Sequence, residues 1–203
     1  FAAERGKLPA RGKKGRVGLL VGRSYILAGN TTHYRAVIEA FEARGLTVVP
    51  AFASGLDSRP AIDAFFKDKK GHPTIDAMVS LTGFSLVGGP AYNDSGAAQA
   101  ALAALDVPYI SLPSLEFQDI GEWEQDPRGL NPLQATLQVA IPGLDGATNP
   151  LVFAGRRSGG PKATGAEPMA DRVDLLARRV VRLIALRQRP REQRRLAIIL
   201  FNF

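Results

Sequence analysis

The sequence predicts an α/β protein: a doubly wound, mostly parallel open sheet of the flavodoxin or Rossmann type, with an irregular helical C-terminal third. Three observations predict it. Short continuous apolar runs of strand type recur, amphipathic helical patterns separate them, and hydrophobic residues fill 45% of 203 positions, enough for a real core. The first run, residues 16–21 (RVGLLV), reads as a strand buried on both faces. Residues 32–44 then place Tyr34, Val37, Ile38 and Phe41 on one stripe, with Asn30 or Thr31 as N-cap and Gly45 as the stop. A second strand follows at 46–52 (LTVVPAF). Ser58 and Pro60 open a shorter helix whose Ile62, Phe65 and Phe66 face inward, before a third strand at 75–80 (IDAMVS). Asp94 or Ser95 opens an Ala-rich helix to Leu105, before a fourth strand at 107–111 (VPYIS); residues 151–154 form a weaker fifth. With right-handed crossovers, this order is that of a doubly wound sheet.

Residues 112–146 read as loops and short helices, including one at 133–140 introduced by Asn131 and Pro132. Residues 156–168, rich in Gly, Pro and Lys, read as an exposed loop. Residues 171–187 form an amphipathic helix, with Val173, Leu176, Ala177, Val180 and Ile184 inward and Arg172, Arg178, Arg179 and Arg182 outward. Pro190 should stop it near Gln188. The apolar run 196–203 (LAIILFNF) reads as another buried-type strand, an aggregation-prone edge unless something pairs with it. The expected organisation is a basic linker at 1–15, an α/β domain at 16–190, and at 196–203 the first strand of a following domain that this chain lacks. The chain is thus expected to be a piece of a longer protein.

The net charge of +7 sits at the two ends. Residues 1–16 hold six basic groups and one acid, and 172–195 hold nine arginines against Asp174 and Glu192, so the body between them is acidic. Nucleic-acid readers place charge on a folded face beside aromatic or amide side chains, so no nucleic-acid role is expected. The absence of cysteine excludes disulfides and thiolate metal sites and suits a cytoplasmic location. No apolar run approaches the roughly 20 residues of a transmembrane segment.

The usual chemical motifs are missing. Gly22-Arg23-Ser24-Tyr25 replaces GxGxxG after the first strand, and residues 155–162 (GRRSGGPK) have Pro161 and Lys162 where a P-loop needs Lys and Ser or Thr. His33 and His72 have no paired acidic motif, so an autonomous hydrolase is not expected. His33, in the first turn of its helix, should be neutral; it either ties the loop to the helix or contacts a ligand. Glu116, Asp119, Glu122, Glu124 and Asp126 read as solvated surface rather than a magnesium site, with Trp123 as a packing anchor. In open α/β sheets ligands bind outside the carboxyl ends of the strands. That rule selects Ser24, Asn30, His33, Thr82, Gly88 and Gly89 as candidate ligand-binding residues, with no metal ligand, and it assigns no catalytic residue. The two glycines permit close backbone approach to a partner, although a simple chain reversal would use them equally.

Four blocks carry a resemblance: 23–66 (RSYILAGNTTHYRAVIEAFEARGLTVVPAFASGLDSRPAIDAFF), 75–94 (IDAMVSLTGFSLVGGPAYND), 105–118 (LDVPYISLPSLEFQ) and 129–146 (GLNPLQATLQVAIPGLDG). In order and spacing they resemble the large, porphyrin-binding H-subunit family of magnesium chelatases, most of all its purple-bacterial version. The resemblance implies a parent enzyme that inserts Mg²⁺ into protoporphyrin IX for bacteriochlorophyll synthesis, with ATP hydrolysed by AAA+ partner subunits. It implies that this piece is inactive alone and serves, beside neighbouring domains of its chain, as a scaffold or one wall of the porphyrin pocket. A cobaltochelatase large-subunit fragment and a stand-alone small-molecule-binding α/β module are the alternatives.

Overall fold

The computed structural model describes residues 14–89, 91–157 and 165–200, so the expected linker at 1–15 falls almost wholly outside them. The fold begins with β1 (Gly15–Leu20), then α1 (Arg23–Leu27), α2 (Thr32–Glu42) and β2 (Leu46–Ala51). Next come α3 (Arg59–Phe65), β3 (Ala77–Ser80), a hairpin of β4 (Gly88–Gly89) and β5 (Tyr92–Asn93), α4 (Ser95–Leu105) and β6 (Tyr109–Ser111). The main sheet has the order β2-β1-β3-β6, and every ladder in it is parallel. This is the doubly wound arrangement, with its switch point between β1 and β3.

Strand alternation sorts the core into two layers. Val17, Leu19, Val48, Val79 and Ile110 face α2 and the C-terminal helix, together with Tyr34, Val37 and Phe41. Leu20, Val49, Met78 and Tyr109 face α3 and α4, together with Ile62, Phe66 and Leu105. Gly18 is required on that second face, because a Cβ there would stand 2.9 Å from Ile75 Cδ1 and 3.0 Å from Phe66. The Asp94 side chain caps α4 by accepting from Ala97 N at 2.9 Å.

Beyond β6 the chain builds β7 (Ser114–Leu115), α5 (Ile120–Gln125), α6 (Pro132–Ala135), a π-helical turn (Thr136–Ala140), α7 (Ile141–Asp145), β8 (Ala154–Gly155), β9 (Glu167–Pro168) and α8 (Ala170–Gln188). The inward residues expected of the last helix are all buried in α8, which ends at Gln188 two residues before Pro190. Three expectations are corrected. Residues 151–154 do not extend the main sheet: β8 pairs with β7 and β9 in a separate sheet, and among the described residues the edge beyond β6 meets only an isolated bridge between Ile110 and Thr148. The loop expected at 156–168 ends in β9, antiparallel to β8; residues 158–164, with most of the P-loop-like stretch, lie outside the described residues. The helix expected at 133–140 is also longer, running from α6 through the π-turn into α7. Residues 196–200, expected as a strand, enter no ladder among the described residues, and Leu196, Ile198, Ile199 and Leu200 are exposed. No described helix is long and apolar enough to cross a membrane.

Candidate functional site

The carboxyl ends of β1, β2 and β3 open into a cleft of about 580 Å³, closed on its far side by residues after β7 and by the π-turn. This is the crevice that the doubly wound topology places at its switch point. Its size falls in the range of small-molecule sites, and its wall is mostly apolar with a few convergent polar groups.

Ser24, Thr82 and Gly88 of the sequence candidates line it. Asn30, His33 and Gly89 do not. Asn30 Oδ1 accepts from Ala166 N at 3.2 Å, which ties the α1–α2 loop to the approach to β9 instead of capping α2. Gly89 is buried in the hairpin, where a Cβ would stand 2.9 Å from Leu56 Cδ1.

His33 is 1% exposed and packed among rings, with centroids 4.0 Å from Tyr34, 5.2 Å from Tyr25 and 5.9 Å from Phe153. Burial lowers its pKa from the usual 6.5 to about 4, against a smaller opposing pull from Glu116. It is therefore neutral at pH 7. Below pH 6.5 the unfolded chain takes up a proton that the folded chain refuses until about pH 4. Stability should fall by roughly 2–3 kcal/mol as pH drops through that window, and be fully present above it. Urea denaturation at pH 7 and pH 4.5 measures this, and His33→Phe should flatten the difference.

The wall also contains Arg23, Tyr25, Ser54 and Phe84, which lie at the strand ends where the crevice was expected, and Glu116, Phe117 and Gln138, which sequence reading did not place there. Tyr25 Oη donates to Glu116 Oε1 at 2.5 Å, and Ser114 Oγ donates to the same oxygen at 2.7 Å. Burial first, and the Glu116 bond second, push the Tyr25 phenol well above its usual pKa, so it stays a donor. Tyr34 Oη accepts from Gly22 N at 3.1 Å, which fixes the turn after β1; burial pushes its pKa up to about 12. Glu116 is thus a wall group held by two hydroxyls, and not the solvated acid expected. Of the other acids of its stretch, Glu124 is exposed and three are used locally. Asp119 and Glu122 form the capping box of α5, and Asp126 pairs with Arg128 at 3.0 Å, which lowers the Asp126 pKa. Trp123 packs against the small cluster around Leu115 and Ile120, with the Arg172 guanidinium 5.3 Å over its ring. Among the described residues no three His, Cys, Asp or Glu side chains gather to hold a metal ion.

Phe84 and Phe117, 37% and 55% exposed, flank the opening. Rings, hydroxyls, a guanidinium, an engaged carboxyl and open glycine backbone make a surface that offers apolar contact and polar groups together.

Comparison with known proteins agrees with this architecture. The family model CobN/Magnesium Chelatase matches residues 3–203. The chain belongs to the CobN/magnesium chelatase family. It is 56% identical over 95% of its length to the magnesium-chelatase H protein of Cereibacter sphaeroides, and 46% identical over 92% to that of Rhodobacter capsulatus. Among solved structures, the catalytic subunit of cobaltochelatase from Mycobacterium tuberculosis matches 89% of the chain with a TM-score of 0.64 and 26% identity. The chain spans only 17%, 16% and 16% of these three chelatase proteins.

Proposed function

We propose that this chain is a domain of the porphyrin-binding H subunit of a magnesium chelatase of purple-bacterial type. The parent enzyme is a ligase that inserts Mg²⁺ into protoporphyrin IX for bacteriochlorophyll synthesis, in the cytoplasm, with ATP hydrolysed by AAA+ partner subunits. This domain supplies one wall of the porphyrin pocket and the scaffold beneath it. The observation that carries the reading is the 56% identity to a magnesium-chelatase H protein across 95% of the chain, against 26% to the cobaltochelatase structure. The cleft supports it in kind. Insertion needs a base for the two inner pyrrole protons. Among the described residues no His, Cys or Lys lines this cleft, and its Glu116 oxygen already accepts two hydrogen bonds, so the proton chemistry belongs to other parts of the parent chain.

Gly55 provides the test, because it lines the cleft and a Cβ there meets nothing within 4 Å among the described residues. In the complete parent chain, Gly55→Trp should fill the cleft without straining the fold. Binding of deuteroporphyrin IX, followed by Soret absorbance, should weaken at least about 10-fold, with Mg²⁺ insertion by the assembled enzyme falling accordingly. Unchanged binding and insertion would reduce the domain to a scaffold. Insertion of Co²⁺ in preference to Mg²⁺ by the assembled enzyme would favour the cobaltochelatase alternative.

A further inference from the structure

Two glutamines four residues apart, Gln134 on α6 and Gln138 on the π-turn, are 0% and 2% exposed and yet are used differently. Gln134 Nε2 donates to Ser114 O at 3.0 Å, and its Oε1 accepts from Phe117 N at 3.4 Å, so this amide ties α6 to the β7 segment. Gln138 Oε1 is buried with no hydrogen-bond partner among the described residues. An unpaired buried amide acceptor is costly, and a fold that gained nothing from it would do better with Leu or Met there.

The surroundings place that amide at the cleft. Gln138 is a lining residue, beside Thr82, Phe84 and Phe117. The π-turn adds one residue to the helical ladder and so redirects the side chains after it; such turns recur at functional sites. Gly83 makes the room: its φ is +70°, and a Cβ on it would stand 2.9 Å from Gln138 Nε2. The TGFS stretch after β3 therefore lacks a side chain where the Gln138 amide needs the space.

We propose that Gln138 is a ligand-binding residue whose amide pairs with a carboxyl side chain of the bound molecule, an inference that rests on reading the cleft as a porphyrin wall. A carboxyl group complements a primary amide: its O–H donates to Oε1, and its carbonyl oxygen accepts from Nε2. Away from water the neutral acid is the favoured form, which supplies that O–H. The propionic acid groups of a porphyrin have this chemistry. Engagement of one of them would hold the edge of the macrocycle at the π-turn while Phe84 and Phe117 meet its face.

The test crosses residue with ligand in the complete parent chain. Deuteroporphyrin IX and its dimethyl ester, in the same detergent micelles, are titrated by Soret absorbance against wild type, Gln138→Leu and Gln138→Met. Wild type should prefer the free acid by about 10-fold, and both variants should lose that preference by weakening on the acid alone. Their melting temperatures should hold or rise, since an apolar side chain replaces an unpaired amide. Unchanged acid affinity in both variants would overturn the proposal, as would a parallel loss for acid and ester together with a lower melting temperature. Gly55→Trp separates the two levels. If it leaves both porphyrins bound as tightly as before, the cleft is no porphyrin wall; if it weakens both and the Gln138 variants weaken neither, only the role of Gln138 falls.

Discussion

Gly88→Ala should cost about 4 kcal/mol and remove the hairpin side of the cleft. Gly88 has a φ of +127°, and a Cβ there would lie 2.2 Å from Tyr92 O and 2.6 Å from Asn93 Cα. Both obstacles are backbone, so no rotamer change relieves them. The left-handed strain contributes about 1–3 kcal/mol and the overpacking a similar amount. Relief requires separating β4 from β5, which also disturbs the bridge between Asp57 and Val87 that holds the hairpin to the segment after β2. Urea denaturation should show the loss. Gly143→Ala is the control: nothing stands within 4 Å of a Cβ in α7, and helix propensity favours Ala, so stability should hold or rise slightly. A Gly88→Ala variant as stable as wild type would mean that the hairpin is looser than its geometry shows.

Asp145→Ala should have a comparable effect by a different route. Asp145 is 1% exposed at the end of α7, and its Oδ2 accepts from Leu86 N at 2.7 Å and Ser85 Oγ at 2.8 Å. These bonds cross 59 and 60 residues of sequence and anchor the cleft loop 82–88 to the helical segment that carries the π-turn. Removing the carboxyl leaves a buried backbone N–H without its acceptor and opens a small void, about 3–4 kcal/mol in total. Asp145→Asn retains one oxygen acceptor and should lose less. Equal stability for Ala and wild type would sink this explanation. Hydrogen exchange gives a local readout: the Leu86 amide should lose protection in Asp145→Ala before the β1 and β3 amides do.

Sequence legibility followed the range of the interactions. The β1, β2 and α2 boundaries, the buried face of α8 and its stop before Pro190 come from local periodicity and from proline and glycine geometry, so they were readable from a dozen residues at a time. The separate sheet of β7, β8 and β9 was not, because two-residue strands leave no pattern and their pairing joins segments far apart in the chain, Ser114 with Ala154 and Leu115 with Gly155. Helix α1 is only five residues long and gives no period either.

The candidate site divides in the same way. Its location, outside the strand ends, follows from the order of elements, and three residues chosen on that basis, Ser24, Thr82 and Gly88, line the cleft. Glu116 was missed as a wall group because its hydroxyl partner Tyr25 lies 91 residues earlier. Gln138 was missed because a glutamine in a helical run looks like surface; only its burial, the π-turn beneath it and the bare backbone of Gly83 set it apart.

By itself, then, the sequence determined the α/β order, the family and the end of the sheet where the cleft opens, since all three are written in local pattern and motif order. Only the tertiary structure decided which side chains face the cleft and which, like His33 and Asn30, are spent inside the fold. Burial and hydrogen-bond partners arise from residues far apart in the chain, and no local pattern encodes them.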